Sequence, residues 1–232
     1  MAGIGLLGVL AGGAAVALAQ GAGADPQRGK IEQIVREYIL EHPEILPEAM
    51  ERLQQREMAK VIDQNRTALE TPWHGAWEGA ADADVVLVEF FDYACGYCRR
   101  SLADIDKLLA EDKKLKVVYR ELPVLGDDSV AAALSSLAVA KQGQAAFNKF
   151  HDAVYEAGRP TQETVTAAKR AVGAANAPET AELQGEVDKN YQLASAIRAN
   201  GTPVFVVGDQ VLQGAVGYDA LKKAVADARK KG

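Results

Sequence analysis

Val85-Val86-Leu87-Val88-Glu89-Phe90-Phe91-Asp92-Tyr93-Ala94-Cys95-Gly96-Tyr97-Cys98 is the stretch on which the reading of the whole chain turns. Val85 to Phe91 is an apolar run broken only by Glu89 and bounded by Asp84 and Asp92, which suits a strand buried on both faces. A Cys-x-x-Cys follows, and Leu102, Ile105, Leu108 and Leu109 then recur at helical spacing. Cys95 therefore stands where a strand ends and a helix begins, with its sulfur aimed at first-turn N–H groups that have no intrahelical partner. The positive end of the helix favours a thiolate, and cysteines so placed ionise at roughly pH 3.5–7.5. Cys95 is the expected attacking sulfur. Cys98, one turn in and facing the interior, is the expected resolving one.

Glu89 shares its strand face with Val85, Leu87 and Phe91, so one side of a buried strand carries an acid. Burial disfavours its charged form and raises its pKa. It is the candidate proton acceptor for Cys98, against the alternatives of a partly exposed residue or half of an ion pair. Further along, Thr202-Pro203 precedes the apolar run Val204 to Val207. Proline at the first residue of a strand is sterically ordinary, and sequence alone favours a trans bond there. A cis bond would present the Thr202 backbone as a short edge for extended peptide.

Outward from the cysteines, Lys116 to Leu122 reads as a second strand. Pro203 to Val207, Gly208-Asp209 and Gln210 to Gln213 read as a hairpin, and Tyr218 to Lys231 as a closing helix. Between the second strand and the hairpin no strand is expected. Ala131–Ala140, Ala145–Tyr155, Thr161–Val172 and Glu179–Ala199 each have helical character, with Gly, Pro or Asn between them. That block, about residues 128–200, is far longer than a parallel crossover requires and reads as an inserted helical subdomain in an α/β fold. Residues 71–84 have no period and read as a connector. Before them, Ile31, Ile34, Val35, Tyr38 and Ile39 mark one amphipathic helix, closed by Pro43. A second helix opens near Pro47 and runs through Ala49, Met50, Leu53, Met58, Val61, Ile62 and Leu69. Two such helices must cover their apolar stripes on each other, on the next domain, or on another copy of the chain.

The totals exclude several classes of function. The 232 residues carry a net charge of −6, which argues against a nucleic-acid partner. Two cysteines and three scattered histidines (His42, His74, His151) give no structural zinc spacing, so neither a metal nor a cofactor is expected. In an oxidising compartment a lone close cysteine pair suits catalysis better than a structural staple, because so small a loop removes little chain entropy. Ile4 to Leu18 is uncharged and ends in Ala17-Leu18-Ala19, the form of a cleaved export signal over residues 1–19. It is shorter than the about 20 apolar residues of a membrane span, so the mature chain is expected in the periplasm.

The motif Val88 to Cys98 together with Gly201-Thr202-Pro203 resembles the DsbA-type branch of the thioredoxin superfamily, over roughly Val85 to the C-terminus. The resemblance implies a thioredoxin fold with an inserted helical subdomain over residues 73–232, preceded by an N-terminal helical segment over residues 20–72. It implies an active site of Cys95, Cys98 and Glu89, with Gly96, Tyr97, Thr202 and Pro203 against the substrate. Within that branch the motif and the N-terminal helices are most similar to the suppressor-of-copper-sensitivity protein C group. That likeness implies a disulfide isomerase or reductase of client proteins, kept reduced by a DsbD-like membrane partner and assembled, in some members, as a trimer; here residues 27–70 would form it. Gly96-Tyr97 stands where the strongly oxidising members carry Pro-His, so a less oxidising pair is expected. The alternatives are a monomeric dithiol oxidase and, from another class, a copper(I)-binding protein using the two soft sulfurs. No Met-rich or His-rich tract accompanies them.

Overall fold

The apolar run Val85–Phe91 forms β2, and its neighbours make it the centre of a five-stranded sheet ordered β1-β3-β2-β4-β5. In this computed structural model, which describes residues 26–178 and 180–230, the strands are β1 (Trp77–Gly79), β2 (Val85–Phe91), β3 (Leu115–Glu121), β4 (Val204–Val207) and β5 (Gln210–Gln213). β2 and β3 run parallel, joined by α3 (Gly96–Glu111); β1, β4 and β5 add antiparallel. The four helices α4 (Asp127–Ala140), α5 (Gln144–Glu156), α6 (Gln162–Ala171) and α7 (Ala181–Ala196) fill the space between β3 and β4 in the chain, and α8 (Tyr218–Arg229) closes it. This is the thioredoxin arrangement with its helical insertion.

Strand periodicity sorts the core into two faces. Leu87, Phe91, Val117, Tyr119 and Phe205 pack with Ile105 and Leu108 of α3, Phe147 and Phe150 of α5, and Leu221 and Val225 of α8. Val88, Phe90, Val118, Val204 and Val206 pack with Leu193 of α7 and with Ile62 and Leu69 of the N-terminal helix α2 (Ile45–Glu70). On that second face Arg120 is buried and satisfied. Its Nε donates to Leu69 O at 3.0 Å, and its Nη1 pairs with Glu186 Oε1 at 3.1 Å and Asn190 Oδ1 at 2.9 Å. Its Nη2 reaches the Ala68 and Thr71 carbonyls, so one guanidinium caps the end of α2.

Residues 71–84 are more than a connector. They contain β1, paired antiparallel with β3 at Trp77↔Val118. Three residues carry no readable alternation, and the pairing is decided by the partner edge. Just before β1, Gly75 lets the chain pass against the turn between α4 and α5: a Cβ there would lie 2.3 Å from the Gly143 carbonyl carbon.

The chain divides at Arg52 into two units. In the first, α1 (Pro26–Glu41) ends one residue before His42, as the Pro43 restriction requires, and α2 begins at Ile45, two residues before Pro47. Pro47 thus sits in the first turn, where its missing N–H costs nothing. Ile31, Ile34, Val35 and Tyr38 of α1 are 59%, 64%, 49% and 52% exposed among the described residues. The export-signal residues 1–19 lie outside the described residues, and no described helix is long and apolar enough to cross a membrane.

Candidate functional site

The turn that carries the cysteines is built by Asp92. Its Oδ1 accepts from Ala94 N at 2.8 Å and its carbonyl from Cys95 N at 2.9 Å, which reverses the chain at the end of β2. Its Oδ2 accepts from Val124 N at 2.8 Å and Leu125 N at 3.0 Å, tying the turn to the loop after β3. The hydroxyl of Tyr155 on α5 donates to the Asp92 carbonyl at 3.2 Å. Asp92 is itself buried, so this carboxylate is a fixed part of the frame.

Cys95 is the N-cap of α3, with extended backbone, and its Sγ accepts from Cys98 N at 3.4 Å. Both thiols are free, Cys95 being 6% and Cys98 1% exposed. The Cys95 pKa is pushed down to about 5, first by the hydrogen bond from the Cys98 thiol. Burial opposes this; the Thr202 hydroxyl and the Cys98 and Tyr97 N–H groups add to it. Cys98 moves the other way, pushed up by burial, by its bond to Cys95 and by the charge of Glu89. The two sulfurs of one motif are thus an anion and a firmly held proton.

Glu89 is buried in mid-strand, in register with Tyr119 on β3 and Phe205 on β4. Burial first and then the Cys95 charge hold its carboxyl well above the ordinary range, with no basic group opposing them. An ion pair therefore does not account for it, and the charge of Glu89 is felt at Cys98 and Tyr155.

The Thr202–Pro203 peptide is cis, which corrects the trans bond that sequence alone favours. It sets the Thr202 carbonyl 3.3 Å from Cys95 Sγ, in position to accept from the thiol. Pro203 is buried and Thr202 half-buried. Gly96 has open space around the position a Cβ would take, and Tyr97 is exposed, with the Arg100 guanidinium 4.3 Å from its ring centroid. Val124 and Leu125 are also exposed, in the loop bound by Asp92. Cys95, Cys98, Gly96, Tyr97 and Thr202-Pro203 therefore meet at one place, with Glu89 in the strand leading to it. Of the histidines, His151 is buried among aromatic rings. Among the described residues no group of three His, Cys, Asp or Glu could hold a metal.

The sequence reading passed over Asp92, although a lone acid at the end of an apolar strand is itself a turn signal. It also passed over Tyr155, whose contribution depends on a contact 63 residues distant in the chain. Chemically, a thiolate at a helix N-terminus, a protonated partner thiol and a buried carboxyl can exchange a disulfide and account for the protons.

Comparison with known proteins agrees with this geometry. A model described as the DSBA-like thioredoxin domain matches residues 86–226, and one described as the copper resistance protein ScsC N-terminal domain matches residues 27–60. A linker-deletion mutant of ScsC from Proteus mirabilis superimposes with a TM-score of 0.73 at 28% identity, covering 91% of this chain and 100% of that one. A thioredoxin-like oxidoreductase from Silicibacter pomeroyi is 35% identical with a TM-score of 0.67, covering 72% of this chain and 98% of that one. Disulfide bond formation protein D of Bacillus subtilis is 29% identical over 163 residues, 63% of this chain and 73% of that protein.

Proposed function

The chain belongs to the DSBA-like thioredoxin domain family and is a thiol-disulfide oxidoreductase of that type, and on this premise we propose that it reshuffles wrong disulfides of client proteins in the periplasm. The observation that carries the reading is the split between the sulfurs, Cys95 pushed down to about 5 while Cys98 is pushed up.

The Cys95 thiolate attacks one sulfur of a client disulfide; that S–S bond breaks and the other client sulfur leaves as a thiolate. In isomerisation a client thiolate then attacks the mixed disulfide, forms the correct bond and releases Cys95 unchanged in redox state. In reduction the Cys95 charge that held the Glu89 proton is gone in the mixed disulfide, so an ionised Glu89 can take the Cys98 proton as Cys98 attacks Cys95; a disulfide closes on the enzyme and the client leaves with two added electrons. The enzyme's disulfide then needs a thiol donor, the role assigned to a DsbD-like membrane partner. The Thr202 backbone and Pro203 hold the client strand beside the sulfurs, with Gly96 and Tyr97 on its other side.

Starting reduced favours isomerisation, because only a free thiolate can attack. The exposed stripe Ile31, Ile34, Val35 and Tyr38 supports assembly with further copies, a trimer through residues 27–70 that sets several cysteine pairs around one client. Export through residues 1–19 supplies the compartment. Copper tolerance follows without direct binding, by repair of disulfides that copper oxidises wrongly.

Thiol alkylation in the cell, with the solution mass of the mature protein, tests this. Reduced cysteines and a mass of three chains are expected; an oxidised pair on a monomer would make it a dithiol oxidase. Cys95→Ser abolishes exchange, and Cys98→Ser accumulates mixed disulfides. Glu89→Gln slows the release of those mixed disulfides without altering their formation, and equal rates of release remove Glu89 from the mechanism.

A further inference from the structure

A second acid lies on the same sheet face as Glu89, and the exchange steps do not use it. Glu121 ends β3, is buried, and accepts from Ser136 Oγ of α4 at 2.7 Å. Ser136 Oγ lies 2.9 Å from the Tyr93 hydroxyl, which lies 3.1 Å from His151 Nδ1. Counting protons orders the series. Ser136 has one, committed to Glu121; Tyr93 must then donate its own to Ser136, leaving the phenol oxygen to accept from His151 Nδ1–H. His151 Nε2 is left as a bare lone pair, and that atom is indeed buried without a partner. A stranded lone pair is tolerated more readily than a stranded N–H. The reverse order would need a proton on Glu121 and leave an N–H at Nε2.

Tyr93 lies within the turn that begins at Asp92 and delivers Cys95, and its ring is wedged edge-on against Phe91 and Phe150. Asp92 ties down the backbone of that turn, while among the described residues the hydroxyl of Tyr93 is held by Ser136 and His151.

We propose that Glu121 is a positioning residue for disulfide exchange: as terminal acceptor of the series it locks the Tyr93 ring, and through it the turn that aims the Tyr97 and Cys98 N–H groups at Cys95 Sγ. This rests on the reading of Cys95 as the attacking thiolate. Burial pushes Glu121 up to about 7, against the Ser136 hydrogen bond; with its proton on Oε2 it still offers Oε1 to Ser136 across the Cys95 titration.

The test titrates Cys95 by thiolate absorbance in the reduced full-length protein and in three variants. Glu121→Leu removes the acceptor, Ser136→Ala cuts the series beside it, and Glu121→Gln removes the charge but keeps an oxygen for Ser136. Positioning requires the Cys95 ionisation constant to fall about threefold, half a pH unit, in the first two, with Glu121→Gln close to wild type. An unmoved titration in folded Glu121→Leu or Ser136→Ala overturns the proposal. So does a shift in Glu121→Gln as large as that in Glu121→Leu, which would make the effect one of charge. Should those variants fail to fold, the wild-type His151 ring nitrogens decide: at about pH 9, two units above the Glu121 midpoint, the tautomer must be Nδ1–H, and Nε2–H overturns the series. If wild type exchanges no disulfide yet its Cys95 titration follows the variants as required, the proposed function fails while the positioning stands.

Discussion

Lowering the pH from 7 to 4 should strip the reduced protein of the stability that its Cys95 thiolate supplies, and leave the oxidised protein without that loss. The folded pKa is about 5 against an ordinary thiol value of 9.0. Because the folded value is the depressed one, the contribution is fully present above the unfolded pKa and drains away as the pH falls through 5. At pH 7 the folded thiolate lies about two units above its midpoint while the unfolded thiol is still protonated, which is worth about 2.7 kcal/mol at 1.36 kcal/mol per unit. The full contribution, about 5 kcal/mol, is reached only above pH 9, and below about pH 4 nothing remains. Cys98 adds nothing in this window, since burial and its neighbours hold its proton throughout. Glu121 titrates in both redox forms and cancels; Glu89 is held up partly by the Cys95 charge, so both forms carry Glu89→Gln and the difference between them isolates Cys95. The assay is urea unfolding of reduced and oxidised protein, anaerobically, from pH 4 to pH 8. The reduced form should gain on the oxidised by about 2.7 kcal/mol between pH 4 and pH 7. A gap constant to within about 0.5 kcal/mol, a third of a pKa unit, would show that Cys95 is not depressed by its surroundings and would remove the argument for Cys95 as the attacking thiolate.

Two further outcomes follow from the same geometry. Cys98→Ala removes the hydrogen bond that contributes most to the low Cys95 pKa, so the thiolate absorbance midpoint should climb above 5 toward the ordinary range; an unchanged midpoint would assign the effect to the Thr202 hydroxyl and the backbone N–H groups. Arg120→Met leaves Glu186 buried beside an uncapped end of α2, and should cost about 3–5 kcal/mol in urea unfolding while leaving the Cys95 midpoint where it is, because Arg120 lies on the opposite sheet face from the sulfurs.

How much of this was legible beforehand follows from which forces are local. The strand Val85–Phe91, the helix after Cys95 and the four inserted helices are written in periodicity, because each must present an apolar stripe to a core wherever that core lies. Glu89 stood out as a charge inside such a stripe. Glu121 sits on the second strand under the same rule, yet the run KVVYREL ends in mixed charges, and nothing local tells a frayed strand end from a buried acid. β1 was illegible because an edge strand of three residues takes its conformation from β3. The Thr202–Pro203 bond was misjudged because its isomer is set by contacts around the turn, whereas the local preference is trans.

By itself, then, the sequence determined the strand-cysteine-helix unit, the helical insertion and the identity of the two sulfurs, all consequences of short-range pattern. Only the tertiary structure decided the burial that makes the sulfurs unequal and the frame that holds them. Thr202 is 107 residues from Cys95 and sits against it, Val124 and Leu125 pin Asp92, and Ser136 and His151 hold Tyr93. Burial and hydrogen bonds act over a few ångströms of space and are indifferent to distance along the chain. An ionisation constant built from them therefore exists only once the fold has closed.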